Sequence, residues 1–202
     1  MLYQLLYPMY RNTDLSTRFR RRRFEMIRQV LGLQPGQKVL EVGCASGVDF
    51  MQFADEYDAT GVDVLNLPKV CDFNFQQLDA KSLPWPDQYF DAVVSIGVLE
   101  HIQPMDRLCA VSSEIRRVAK RFCIIVPSNG TWIEPHTWSV FWQMRGQHSK
   151  SPCSHELNYF SDEAWLQFPG FTGASTKRYW HVPGIQNLMI FDQPQGPFFP
   201  AE

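Results

Sequence analysis

Nothing in the 202-residue sequence approaches the uninterrupted apolar run, about 20 residues, that a bilayer-spanning helix needs. No charge of either sign dominates. Nineteen Lys and Arg face 21 Asp and Glu, a net charge of −2, which removes any general pull toward nucleic acid or anionic membranes. Cysteines are few and scattered: Cys44, Cys71, Cys109, Cys123 and Cys153 are odd in number and contain no CxxC. Neither a disulfide framework nor a zinc knuckle is indicated. Internal repeats and low-complexity segments are absent too. The first residues place apolar "MLYQLLYPMY" before basic "RFRRRR", the reverse of a secretory signal, so the expected compartment is the cytoplasm. What remains is an ordinary globular composition, 45% hydrophobic and 14% aromatic, in a chain long enough for one domain with a sizeable core.

After Pro35-Gly36 the chain alternates between strand-like and helix-like segments. "KVLEVG" (38–43), "ATGVDV" (59–64), "FNFQQLD" (73–79), "FDAVVSIG" (90–97) and "RFCIIVP" (121–127) are short and nearly continuously apolar. That pattern predicts strands covered on both faces, as in a parallel sheet. Between the fourth and fifth, residues 105–120 carry Leu108, Val111, Ile115 and Val118 at helical spacing. The series is βαβ, and an open α/β sheet follows. Residues 12–33 predict a further helix, with Phe19, Met26, Ile27, Val30 and Leu31 as its apolar stripe and arginines around it. Segments 171–180 and 187–193 predict two closing strands, followed by an irregular tail.

In open α/β sheets ligands sit at the carboxyl ends of the strands, where the strand order reverses, so the first strand–turn–helix is the place to look. A dinucleotide fingerprint there needs glycines at 43, 45 and 48; the sequence has Gly43, Ala45 and Val48. A phosphate loop needs Lys followed by Ser or Thr, and neither is present. Glu41, at the mouth of the turn, would repel a pyrophosphate and suit a cation. The expected ligand therefore carries an adenosine-like body and a positive end, as S-adenosylmethionine does.

The spacing E-x-G-x-x-x-G, here Glu41, Gly43 and Gly47, resembles the first motif of class I S-adenosylmethionine-dependent methyltransferases, and of their small-molecule "type 11" branch. "GVD" ends the second strand at Asp63, "QQLDA" the third at Asp79 and Ala80, and "LPWPDQYFDAVVSIGVLEHI" (83–102) resembles the family's fourth-strand block. The resemblance covers roughly residues 36–130. It implies a Rossmann-like, doubly wound, mostly parallel seven-stranded sheet with an antiparallel last strand. To this are added an N-terminal helical lid (1–33), an aromatic-rich acceptor-site cap (131–170) and closing strands with a tail (171–202). It also implies an S-adenosyl-L-methionine site: Glu41 balancing positive charge, Asp63 accepting from the ribose, Asp79 from the adenine amino group with the Ala80 amide beside it. Gly43, Cys44, Ala45, Gly47, Val64 and Ser95 complete the lining. Ala45 stands where the family often has glycine, which tightens the loop.

Methyl transfer needs the acceptor atom held about 3 Å from the methyl carbon, in line with the leaving sulfur and screened from water. A base is required only where the acceptor atom carries a proton, and histidine suits that near neutral pH. Two candidates stand out. His101, in "LEHI", lies on the cofactor rim, either as a base or as a pocket-lining hydrogen-bonder. Glu134-Pro135-His136, after the fifth strand, reads either as an acid–histidine pair facing the acceptor or as a solvated turn; a similar I-E-P-H stretch occurs in some bacterial members of the family.

No metal is expected. Relatives that methylate catechols carry acids at the ends of the fourth and fifth strands, where this chain has Ser95 and Ser128-Asn129. The group His148, Cys153, His155 and Glu156 matches no zinc spacing and reads as a polar loop.

For the acceptor, "SIGV" replaces the tetrad that base-amino methylases use to grip a flipped base, which argues against DNA and RNA bases. The arginines at 18–23 read as a solvated helix face, with an anionic metabolite or phospholipid headgroup as the other reading. Tyr7, Tyr10, Trp132 and Trp138 are the expected acceptor contacts, suited to a bulky apolar or aromatic body, small or lipid-like. The rivals are an RNA or protein methyltransferase using the arginine helix, and a catalytically silent cofactor-binding partner subunit.

Overall fold

The computed structural model describes residues 14–49, 54–136, 139–140 and 157–192. Tyr7, Tyr10, Trp138 and the group His148, Cys153, His155 and Glu156 lie outside the described residues. Seven strands, β1 (Lys38–Val42), β2 (Asp58–Asp63), β3 (Asn74–Gln77), β4 (Ala92–Ile96), β5 (Phe122–Pro127), β6 (Ser175–Val182) and β7 (Ile185–Phe191), form one sheet in the order β3-β2-β1-β4-β5-β7-β6. The first five pair in parallel, while β7 runs antiparallel to both β5 and β6. All seven strands follow the sequence expectation, with ends displaced by a residue or a few. Strand order reverses between β1 and β4, which opens a crevice beyond Val42 and Ile96.

Each strand divides its side chains between two cores, because successive residues point to opposite faces. Leu40, Val42, Val93, Phe122 and Ile124 pack on one face with Leu108, Val111, Ile115 and Val118 of helix α2 (Met105–Val118). Val39, Ala92, Val94, Cys123 and Ile125 pack on the other face with Phe24, Ile27, Val30 and Leu31 of helix α1 (Asp14–Leu31). Glu41 alternates with Val42 and so faces the α1 side.

Two regions take more definite form here. Helix α1 buries its apolar stripe in the sheet core, with Ile27 and Leu31 fully inaccessible, while residues 1–13 of the expected lid lie outside the described residues. Phe24 holds the stripe position that the periodicity assigned to Phe19, which instead meets the His181 ring at 5.4 Å. The aromatic cap also resolves differently. Trp165, in the short helix α3 (Asp162–Trp165), is fully buried in the α2-side core, with Phe160 edge-on to it at 5.2 Å and Phe168 tilted against it at 5.5 Å. These rings are core rather than pocket, because the chain returns beneath α2 before entering β6.

Candidate active site

The glycine loop follows β1 directly. Gly43 (φ 79°) and Gly47 (φ 81°) adopt left-handed backbone, and a Cβ on either would lie 2.3 Å from Val98 or Phe73, so only glycine fits without displacement. Ala45 is left-handed as well, at φ 48°, a strained state for a residue with a Cβ. Among the described residues 43–49 and 54–57 the chain forms turns and no helix, unlike the strand–turn–helix expected. A side chain holds the loop instead. Asp63 accepts from the Ala45 amide at 2.8 Å and from the Leu65 amide at 2.9 Å, and Lys69 Nζ donates to the Ala45 carbonyl at 2.9 Å.

Glu41 is 2% exposed, and its Oε2 has no hydrogen-bond partner among the described residues. Burial first, and then the neighbouring Asp49 charge, push its carboxyl well above the usual range, against the pull of Arg23. An arriving cation would relieve that penalty. Cys44, beside it, is buried, with its thiol raised to about 12, while Val64 is exposed at the far rim. Asp79 is engaged on both oxygens: Lys81 donates its amide to one at 3.1 Å, and Arg107 meets the other at 3.1 Å. An adenine amino group would share that carboxylate rather than find it free.

Ser95 does not reach the crevice. It is fully buried, and its hydroxyl donates to the Val42 carbonyl at 2.9 Å, tying β4 to β1. Trp132 likewise leaves the site: it is 56% exposed and packs edge-on against Trp180 at 5.5 Å on the outer surface. Ser95 misses because the two-residue period of β4 turns it into the sheet core, while Trp132 lies on the loop after β5.

The histidines converge. A 3-10 turn, Leu99–His101, follows β4, and Glu134 and His136 lie on the segment after β5. His136 Nδ1 lies 2.7 Å from Glu134 Oε1, which also accepts from the His136 amide at 3.0 Å and from the Tyr159 hydroxyl. His136 Nε2 is 3.1 Å from His101 Nε2. Burial lowers the His136 pKa, but the hydrogen bond and charge of Glu134 outweigh it, and the net shift is upward. Burial and Glu134 together hold the Tyr159 phenol protonated. Glu134 is buried at 5%, so it orients His136 from behind rather than facing the cavity beside it.

Three residues of this cluster escaped the sequence reading: Glu100, Asn158 and Tyr159. Glu100 is 1% exposed, and burial raises its carboxyl to about 7. Asn158 clamps the turn that carries Glu100 and His101, donating to the carbonyls of Leu99 at 3.1 Å and Ile102 at 2.9 Å. The adjacent Glu-His pair in "LEHI" was the one available signal.

A cavity of about 260 Å³ opens between the ends of β4 and β5 and the β6–β7 hairpin, lined by Arg23, Gly97, Glu100, His136, His181 and Asn187 among others. Arg23 reaches it from α1 while paired with Asp49, and Arg28 pairs with Glu56 at 3.3 Å; Arg18, Arg21 and Arg22 are exposed. The arginine run is thus a solvated face at Arg18, Arg21 and Arg22, with Arg20 and Arg23 turned inward toward Asp49.

A family model for a methyltransferase domain matches residues 40–126. The chain is 37% identical over 87 residues to cycloartenol-C-24-methyltransferase of Arabidopsis thaliana and 34% identical over 86 residues to phosphoethanolamine N-methyltransferase of Triticum aestivum. These matches cover 35% and 37% of this chain, and it spans only 25% and 17% of those curated relatives' lengths. A methyltransferase structure from Archaeoglobus fulgidus superposes with a TM-score of 0.64 at 21% identity, covering 95% of this chain and 99% of that one. A Burkholderia thailandensis 1,6-didemethyltoxoflavin-N1-methyltransferase bound to S-adenosylhomocysteine superposes with the same score at 16% identity, covering 95% and 83%. The orphaned buried Glu41 carboxylate and the two crowded glycines fit such a cofactor.

Proposed function

We propose that this chain, which belongs to the class I S-adenosylmethionine-dependent methyltransferases, passes the methyl group to a small or lipid-like acceptor with a bulky apolar or aromatic body. One observation carries the reading: His136 stands on the cavity wall with its Nδ1 fixed by Glu134. S-adenosylmethionine, when bound, would supply a methyl carbon activated by a positive sulfur leaving group. Glu41, Gly43, Cys44, Ala45, Gly47, Asp63 and Val64 would hold its methionine and ribose parts, and Asp79 with Ala80 its adenine.

On the acceptor side, His136 Nε2 takes the proton that leaves as the acceptor atom bonds to carbon. The Glu134 carboxylate stabilises the imidazolium that forms and holds the ring in the required tautomer. His101, 3.1 Å away, shares that proton. Ile96, Ile125, Val182 and Ile185 give the cavity apolar walls that exclude water. The two curated relatives, whose names carry cycloartenol and phosphoethanolamine, support an acceptor of lipid-like or small-molecule kind.

Calorimetric titration with S-adenosylmethionine and S-adenosylhomocysteine, on wild type and Asp63→Ala, tests the cofactor side. The substitution should weaken binding at least tenfold, about 1.4 kcal/mol, and no heat from a folded sample would overturn the reading. In an acceptor screen, His136→Ala should lower turnover by roughly 10²–10⁴-fold with cofactor affinity intact. Unchanged turnover would remove His136 from the proton step. RNA binding that falls steeply with salt would favour an RNA methylase instead.

A further inference from the structure

We infer that Glu100, His101 and His136 form a binding site for a first-row divalent cation, with zinc the leading candidate, at the edge of the acceptor cavity. Their donor atoms lie within 4.8 Å of one another: the two Nε2 atoms are 3.1 Å apart, and Glu100 Oε1 is 3.9 Å from each. Ligands at zinc bond lengths of about 2.0–2.2 Å stand roughly 3–3.5 Å from one another. The histidine pair already has that spacing, and a small approach of Glu100 would complete it.

Two independent features point to a cation. Glu100 is a carboxylate side chain 1% exposed whose Oε2 has no hydrogen-bond partner among the described residues, an arrangement that is unfavourable unless positive charge arrives. The second is the tautomer. Glu134 takes the proton side of His136 at Nδ1, which turns the Nε2 lone pair toward His101 and Glu100. A carboxylate behind a ligating histidine is the usual support of a metal site. Asn158 supplies the other support by clamping the turn that carries Glu100 and His101.

Two imidazoles and one carboxylate leave at least one coordination position open, and both Glu100 and His136 line the cavity. The inference rests on the proposed acceptor placement and deepens it: the acceptor is then a molecule with an ionisable oxygen, a hydroxyl or enol, that binds the cation. The cation lowers the pKa of that oxygen, so its proton passes to solvent and the oxygen waits as an anion. In this loaded state His136 Nε2 is a ligand, and it is a base only in the metal-free protein. The expectation of metal-free transfer came from Ser95, Ser128 and Asn129; it did not reach Glu100, which stands on the turn beyond β4.

The test uses the full chain after dialysis against a chelator, with neither cofactor nor acceptor present. Titration with zinc chloride by calorimetry and with cobalt(II) chloride by visible absorption should give one equivalent bound, with a tetrahedral or five-coordinate cobalt spectrum. Glu100→Gln, His101→Ala and His136→Ala should each weaken zinc binding at least tenfold, while His181→Asn, in the same cavity but outside the trio, should not. His101 is 44% exposed, so its replacement leaves the core untouched and guards against a folding artefact in the buried Glu100 variant. Absence of stoichiometric binding, or binding that survives all three substitutions, overturns the inference and leaves the methyltransferase reading standing. Failure of the cofactor titration would leave the metal result standing.

Discussion

Single residues carry the chemistry here through what surrounds them. Glu41 and Glu100 are both buried acids with one oxygen that finds no donor among the described residues, an arrangement that a nearby positive charge would relieve. His181, on the wall of the same cavity, is the opposite case. Burial, reinforced by the Arg23 charge, holds its pKa down to about 4 against an ordinary value of 6.5. Between those values the unfolded chain binds a proton that the folded chain refuses. The stability owed to neutral His181 is therefore complete above about pH 6.5 and is lost as pH falls toward 4. Urea midpoints measured at pH 7, 5.5 and 4.5 should fall more steeply for wild type than for His181→Asn. Equal slopes would show that His181 is not the titrating group.

At the scale of elements, helix α1 decides how the N-terminal region is understood. A lid would tolerate truncation of its apolar residues, whereas a core helix would not. Ile27 is fully buried against β1 and β5 residues, and Ile27→Ala should cost about 2–5 kcal/mol of unfolding free energy. Chemical denaturation measures this directly, and a loss below about 0.5 kcal/mol, the range of surface substitutions, would return the helix to the role of a lid. The periodicity of residues 12–33 announced the helix but not its fate, because a 3.6-residue stripe is the same whether it meets the sheet or folds over a ligand. The alternation along β4 behaves in the same way. It identified a strand, but the inward face of Ser95 depends on the register with β1, and that register is set by pairing across the sheet.

For the whole molecule, the cofactor crevice lies at the strand-order reversal, between the segments that follow β1, β2 and β4. Binding there should stabilise the native state as a unit. Saturation with S-adenosylhomocysteine at 100 times its Kd should add about 2.7 kcal/mol, visible as a concentration-dependent rise in the thermal midpoint. Asp63→Ala, at the same ligand concentration, should remove about half of that rise or more, since Asp63 both faces the crevice and ties the Ala45 and Leu65 amides. A rise preserved in the variant would place the ligand elsewhere.

The sequence by itself determined the sheet, the glycine loop, the acids at the ends of β1, β2 and β3, and with them the class of cofactor. All are local: period, turn chemistry and short fixed spacings act over fewer than about ten residues. Only the tertiary structure decided the histidine cluster. His101 and His136 are 35 residues apart, and Tyr159 reaches Glu134 across 25. They meet because β4 and β5 are parallel neighbours whose carboxyl ends open into one cavity, and Asn158 bonds back to the turn between them. No window along the chain contains that convergence. It exists only once the sheet has closed, and burial then gives Glu100 and Glu134 their separate roles.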